Sequence, residues 1–211
     1  MPKTLNAEWI RRRLSATHEP EDPLAVDFTH LGRRMPESMV EELAPRLRPA
    51  GVLLPLIERG RSLSVLLTER AADLRHHAGQ VSFPGGGMED HDADITATAL
   101  REAHEEVGIH PDEVDIAGYL CPTATVTGFA VTPVVGFVRS SFELRLESRE
   151  VECAFEVPLE FLMDVRNEAR SLRQFEGAML PVASFHYAGH RIWGATASML
   201  VSLRKILIDI Y

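Results

Sequence analysis

From residue 50 onward, short apolar runs alternate with charged or glycine-rich breaks. Gly51-Val52-Leu53-Leu54-Pro55-Leu56-Ile57 and Ser64-Val65-Leu66-Leu67-Thr68 are separated by Glu58-Arg59-Gly60-Arg61, a pattern that predicts a hairpin of two buried strands. Asp94 to Val107 then predicts a helix. Ala99, Leu100, Ala103 and Val107 recur at helical spacing, and Gly108 supplies the stop. Strands are expected at Val114–Leu120, Thr132–Val138 and Arg191–Trp193, and helices at Leu159–Val165 and Thr196–Ile208. The first 50 residues read differently: Ala7–Leu14 and Ser38–Leu47 carry helical periodicity, punctuated by prolines at 20, 23, 36, 45 and 49. Strands and helices sharing one core predict an α/β or α+β fold, with a mixed sheet between helical layers. A helical extension over residues 1–47 is expected to pack on a main domain over residues 48–211.

Composition narrows the class. With 211 residues, 45% hydrophobic and 25% charged, the chain can bury a substantial core without staples. Its two cysteines, Cys121 and Cys153, lie far apart with no nearby histidine at ligand spacing. Two reduced core thiols are expected rather than a disulfide framework or a zinc site. Met1 to Arg13 lacks the apolar segment of a signal peptide, and no apolar run approaches a membrane span, so a cytoplasmic protein without a membrane partner is expected. The formal charge of −9 makes nucleic acid a poor partner. A small anionic substrate fits such a surface if a divalent cation mediates the contact.

Candidate chemistry concentrates on the 94–107 helix. Glu102, Glu105 and Glu106 stand at i, i+3 and i+4, so their carboxylates are expected along one side, with Glu106 at the edge of the apolar stripe. Like charges at that spacing oppose helix formation by a few tenths of a kcal/mol. Carboxylates in the last turn add roughly 0.3–1 kcal/mol each against the helix dipole. A bound hard cation reverses these penalties, which favours Mg²⁺ or Mn²⁺ over a merely solvated acidic face. Just upstream, Phe83-Pro84-Gly85-Gly86-Gly87 offers a backbone that approaches a ligand closely. Phe83, Gly85, Gly86 and Gly87 are therefore expected to line a diphosphate.

Gly87, position 93 and the run Arg101-Glu102-Ala103-His104-Glu105-Glu106-Val107-Gly108-Ile109 together resemble the Nudix box, a motif with many fixed positions. One position departs: where the family has glutamate this chain has Ala93, flanked by Asp92 and Asp94, either of which is a candidate substitute. The resemblance implies a Nudix α/β/α sandwich and hydrolysis of a nucleoside diphosphate linked to another moiety. It implies Glu102 and Glu106 as metal ligands, Glu105 as a further ligand or base, and Arg101 as the residue that orients the glutamates.

A second pattern, Leu66-Leu67-Thr68-Glu69-Arg70-Ala71 with Arg75, Gly79 and Phe83-Pro84-Gly85-Gly86, resembles the coenzyme A pyrophosphatase branch of that family. So do Val126-Thr127-Gly128-Phe129, Phe155-Glu156-Val157-Pro158-Leu159 and Ile192-Trp193-Gly194-Ala195-Thr196-Ala197. The likeness implies coenzyme A or a derivative as substrate. Its 3′-phosphate calls for cations away from the metal, and Arg70 and Arg75, beside His76 and His77, are the expected donors. Phe129 is a candidate stacking platform, whereas Trp193 is expected in the core. Glu105, Glu150 and Glu152 stay open as general base. ADP-ribose or a nucleotide sugar is the alternative substrate, and a non-catalytic Nudix-like binding module the alternative class. A homodimer is left open.

Overall fold

A computed structural model describes residues 5–26, 37–71, 79–175 and 178–208. In it the first apolar runs form the expected hairpin: β1 (Arg48–Arg59) pairs antiparallel with β2 (Ser62–Arg70), Leu56 opposite Val65. Short strands β3 (Val81–Ser82) and β4 (Gly85–Gly87) then run against β2 and β1. Beyond α3 (Ile95–Val107) come β5 (Val114–Tyr119), β6 (Thr123–Ala124) and β7 (Phe129–Val138). β7 lies parallel to β1 from Arg48↔Phe129 to Ile57↔Val138, and β5 is antiparallel to β7. A further strand, β8 (Val151–Pro158), joins the outer side of β2. The sheet order is β3-β2-β1-β7-β5, and its directions are mixed as expected.

Alternation along β1 builds two cores. Leu53 and Ile57 face Ala103 and Val107 of α3, while Leu54 and Leu56 join the larger cluster with Leu200, Leu203 and Leu207 of α5 (Ala195–Ile208). A short α4 (Leu159–Met163) packs on that second face through Leu159 and Leu162. Gly51 lets α3 lie close on the first face, since a Cβ there would stand 2.6 Å from the Ile95 carbonyl. The result is the α/β/α sandwich.

The N-terminal segment enters the same core. α1 (Ala7–Leu14) is capped by the Asn6 side chain and buries Ile10 and Leu14 completely. Arg11 pairs with Asp115 at 2.6 Å, and the Trp9 indole donates to the Leu207 carbonyl at 3.2 Å. Glu19 reaches the first turn of α3, accepting from the backbone N–H groups of Ile95 and Thr96 at 3.0 and 3.2 Å. The second periodic segment becomes α2 (Glu37–Leu43) plus a 3₁₀ turn, Ala44–Arg46, in which Pro45 removes a helical donor.

A second, three-stranded sheet has no counterpart in the sequence expectations beyond its last strand. It consists of β9 (Ala169–Phe175), β10 (Ala178–Tyr187) and β11 (His190–Trp193). β9 reads ARSLRQF, with exposed Arg170, Leu172, Arg173 and Gln174, so no buried face writes a period-two pattern into it. Three other expectations are corrected. Cys121 is exposed and Cys153 half-buried, so neither is a core thiol; each sits on a strand or loop that faces partly outward. Trp193 is half-exposed rather than core, because the guanidiniums of Arg173 and Arg191 lie over its ring, each 5.2 Å from the ring centroid. No described helix is long and apolar enough to cross a membrane.

Candidate active site

The acidic helix is fixed at both ends by its own sequence. Asp94 is the N-cap, its Oδ1 accepting from the Ala97 N–H at 2.7 Å. Gly108 closes it in the left-handed conformation, φ 78°, with its N–H on the His104 carbonyl. Burial of Ala99, Ala103 and Val107 against β1 then sets the rotation of the helix, and that rotation drives Glu106 inward. Glu106 is only 3% exposed.

The glycine run lies flat on these carboxylates. The Gly85 N–H donates to Glu106 Oε2 at 3.2 Å. A Cβ on Gly86 would fall 2.5–2.8 Å from the Glu102 carboxylate, so a residue without a side chain is required where that carboxylate rests. The neighbouring positions differ: a Cβ on Gly85 would strike Gly51 and Val52 backbone at 2.5 and 2.6 Å, whereas one on Gly87 meets only Phe129 at 3.6 Å. Gly86→Ala is therefore expected to keep the fold and displace Glu102, lowering kcat at least tenfold with little change in melting temperature. Gly85→Ala instead forces β4 off β1, and its expected sign is a clear loss of stability. Thermal melts and steady-state kinetics on both variants check the contrast.

Arg70 arrives from the end of β2, its Nη1 3.7 Å from Glu106 Oε1. The guanidinium thus stands beside one of the box glutamates, whereas the sequence expectation is a phosphate contact away from them. Among the described residues its buried Nε has no hydrogen-bond partner. Arg75, His76 and His77 lie outside the described residues. Phe83 is a correction: at 2% exposure it belongs to the large core beside Leu67 and Val81 and cannot line a substrate.

Arg101 is the hub on the outer side. It lies on α3 one turn from Glu105, and its Nη1 donates to Glu102 at 2.9 Å and to Glu105 at 3.0 Å. Its Nη2 also reaches the Gly87 carbonyl at 3.2 Å. The two remaining donors meet Asp92 in a fork, Nε to Oδ1 and Nη2 to Oδ2, both 3.0 Å. Asp92 also accepts from the Glu89 N–H and the Thr98 hydroxyl, while Ala93 faces solvent. The aspartate beside the missing glutamate thus holds the box arginine, and the other aspartate only caps the helix.

The three glutamates do not point to one spot. Arg101 draws Glu102 and Glu105 outward, and Glu105 remains 59% exposed, whereas Glu106 turns to Gly85 and Arg70. Electrostatics separate them further. Burial raises the Glu106 pKa to about 7, against the lowering effect of the Gly85 N–H and Arg70 and with a further push from Glu102 and Glu150. Burial also raises Glu102, only partly offset by Arg101. Asp92 moves the opposite way: the Arg101 hydrogen bonds hold it well below the usual carboxylate range despite its burial. Of the two later acids, Glu150 in the turn before β8 acts on both Glu102 and Glu106, while Glu152, on β8 itself, acts on Cys153.

This donor set suits a hard divalent cation. Glu102 and Glu106 are oxygen donors one turn apart, both held from water, and one half-buried cation at 3.7 Å leaves Glu106 short of compensation. Among the described residues, a groove of about 680 Å³ lies beyond the C-terminal end of α3. It is lined by Glu105, Glu113, Glu143 and Glu147 with one arginine, Arg145, a poor lining for an anion.

The family model described as NUDIX domain matches residues 46–189. This chain belongs to the Nudix family. It is 38% identical to the uncharacterized Nudix hydrolase NudL of Enterobacter sp. (strain 638) over 88% of this chain and 95% of that protein. Identity to the NudL protein of Cronobacter sakazakii (strain ATCC BAA-894) is 42%, covering 74% of this chain and 81% of that one. A Nudix hydrolase from M. Smegmatis, RenU, shares the fold, with a TM-score of 0.52 over 78% of this chain and 88% of its own at 21% identity. Nudix hydrolases generally use divalent metals such as Mg²⁺ or Mn²⁺.

Proposed function

We propose that this Nudix hydrolase cleaves the diphosphate bond of coenzyme A or a derivative, giving 3′-phosphoadenosine 5′-phosphate and 4′-phosphopantetheine. The observation that carries the reading is the meeting of Arg70 with the buried box carboxylate Glu106 at 3.7 Å, under the Gly85 N–H. Arg70 belongs to the upstream run Leu66–Ala71 that resembles the coenzyme A branch, so a residue of that pattern stands at the reaction centre.

Glu102 and Glu106 would hold Mg²⁺ or Mn²⁺, with Glu105 at the rim. Such an ion neutralises phosphoryl oxygens and lowers the pKa of a water. The chain supplies the rest. Arg70 offers a guanidinium to the diphosphate, and the Gly85–Gly87 backbone lets it approach without a side chain between. Arg101 keeps Glu102 and Glu105 apart from Glu106, and Asp92 keeps Arg101 in place. Glu150, in the field of both box carboxylates, is favoured over Glu152 to take the proton of the attacking water. Phe129, beside Gly87 and under the Arg48 guanidinium at 4.5 Å, offers a ring to the adenine or pantetheine part.

With Arg70 at the box carboxylate, the 3′-phosphate falls to Arg75. Coenzyme A is then expected to be cleaved about ten- to a hundredfold better than dephospho-coenzyme A, the yield of one charge-assisted contact. Arg75→Ala should shrink that gap, while Arg70→Ala should depress both substrates alike. A panel with Mg²⁺ and Mn²⁺, products identified by mass, reads all of this in kcat/KM. Equal rates on the two coenzyme A forms, or faster cleavage of ADP-ribose or a nucleotide sugar, would move the assignment to another nucleoside diphosphate.

A further inference from the structure

Away from the box helix, three potential metal-ligating side chains from three strands meet. Glu69 of β2 and Cys153 of β8 are direct cross-strand partners, so their side chains emerge together. His190, the first residue of β11, reaches them from the β10–β11 turn, where Ala188 and Gly189 take φ 48° and 88°. The ligand atoms of Glu69, Cys153 and His190 all lie within 4.8 Å of one another, and among the described residues no other group of three meets that condition. His190 Nδ1 is 2.7 Å from Glu69 Oε2. Phe155, two residues along β8 from Cys153, stacks on the imidazole at 3.8 Å between ring centroids and 9° between planes, which fixes the ring's orientation. All three ligands are half-buried, so the site is shielded yet reachable from solvent.

We propose that Glu69, Cys153 and His190 form a second cation site, distinct from the box glutamates and selective for an ion of the zinc class. The donor set decides the class. One sulfur, one imidazole nitrogen and one carboxylate oxygen suit a borderline ion with tetrahedral preference, whereas Mg²⁺ seeks oxygen alone. Tetrahedral bonds of about 2.0–2.3 Å separate neighbouring donors by roughly 3.3–3.8 Å. The 2.7 Å His190–Glu69 contact would open by under about 1 Å, within reach of side-chain rotation. On binding, the Cys153 S–H proton leaves to solvent and the thiolate with the Glu69 carboxylate balances the dication. The fourth position stays open to water. A cysteine nucleophile oriented by the Glu69–His190 pair is the competing reading, and the thiol argues against it: burial and the nearby Glu69 and Glu152 carboxylates push Cys153 up rather than activating it. The consequence for the enzyme is mechanical. Glu69 precedes Arg70, so an ion there ties the β10–β11 turn to the strand end that delivers Arg70 to Glu106.

The experiment is Co²⁺ titration of the full-length, chelator-treated protein, read by absorption. A sulfur ligand gives a thiolate-to-cobalt charge-transfer band that oxygen ligands at the box glutamates cannot produce. One equivalent of Co²⁺ should develop that band with the visible bands of a tetrahedral ion, unchanged by excess Mg²⁺, by Cys121→Ser or by Glu106→Gln. Cys153→Ser should abolish it, and His190→Ala and Glu69→Gln should each weaken binding at least tenfold. Zn²⁺ should compete Co²⁺ off and raise the melting temperature of the wild type but not of His190→Ala, which keeps the test independent of any one variant's folding. Absence of the band, its survival in Cys153→Ser, unchanged affinity in both His190→Ala and Glu69→Gln, or no thermal shift with Zn²⁺ would overturn the proposal.

Discussion

Glu106→Gln is expected to abolish turnover while making the metal-free protein more stable than the wild type. Both effects come from one fact, that Glu106 is 3% exposed and its pKa is raised to about 7. An acid whose folded pKa exceeds its unfolded value binds a proton in the native state where the unfolded chain has already lost it. Stability therefore falls as pH rises from about 4.5 to about 7, and the loss is complete above that window. At about 1.4 kcal/mol per pKa unit the ionised carboxylate costs the fold roughly 3 kcal/mol at pH 8. Glutamine is neutral, keeps an oxygen for the Gly85 N–H and has no charge to desolvate. The variant should melt several degrees higher than the wild type at pH 8 in excess chelator, with the difference vanishing near pH 5. If Glu106 holds the cation that neutralises phosphoryl charge, its loss should lower kcat at least about a hundredfold. For the wild type, apparent Mg²⁺ affinity should drop about tenfold per pH unit below 7, as protons compete for the same oxygen. Undiminished turnover in chelator, or a variant less stable than wild type at pH 8, would remove Glu106 from the metal site.

What could be read from the sequence follows from where each signal is written. The β1–β2 hairpin and α3 were legible because burial on defined faces forces periodicity, and their bounds differ from expectation by only a few residues. β4 was not legible as a strand, because Gly85-Gly86-Gly87 has no strand propensity and is extended only through its pairing with β1. β9 escaped because its residues are mostly exposed and leave no apolar pattern, and β10 because its buried residues, Leu180, Ser184 and Phe185, do not alternate strictly along the strand. At the site, residue types were informative and directions were not. Phe83 precedes the glycines, which suggests a substrate contact, yet in the link between β3 and β4 its ring turns into the core. Arg70 looked like a distal phosphate donor, but only the β2 path shows it ending at Glu106. The Glu69, Cys153 and His190 group is the extreme case. No local spacing links residues on three separate strands, and only the register of β8 on β2 and the docking of the second sheet bring them together.

The substitution at position 93 yields the sharpest separation of two neighbouring residues. Sequence alone left Asp92 and Asp94 as equal candidates for the missing glutamate's role. In the structure they do unrelated work: Asp92 forks onto Arg101 with two 3.0 Å hydrogen bonds, and Asp94 holds the Ala97 N–H at 2.7 Å. Arg101 in turn fixes Glu102 and Glu105 through a single nitrogen, so losing Asp92 frees the whole outer carboxylate pair. Asp92→Ala should therefore cut kcat/KM about 10- to 100-fold, the usual cost of removing a partner that orients ligand residues, and weaken Mg²⁺ binding in step. It also leaves a half-buried guanidinium short of its counter-ion, so stability should fall as well. Because Asp92 titrates below the usual carboxylate range, its contribution to wild-type stability is present above pH 4 and disappears as the pH falls through its lowered pKa. Asp94→Ala should cost about 1 kcal/mol of stability, the value of an N-cap, and leave kcat within a factor of two. Ala93→Glu, at a solvent-facing position, should leave both kcat and stability near wild type. Kinetics, Mg²⁺ titration and melts on the three variants decide the matter. If Asp92→Ala and Asp94→Ala reduce turnover equally, the fork to Arg101 is structural only, and the box of this enzyme works without the missing carboxylate.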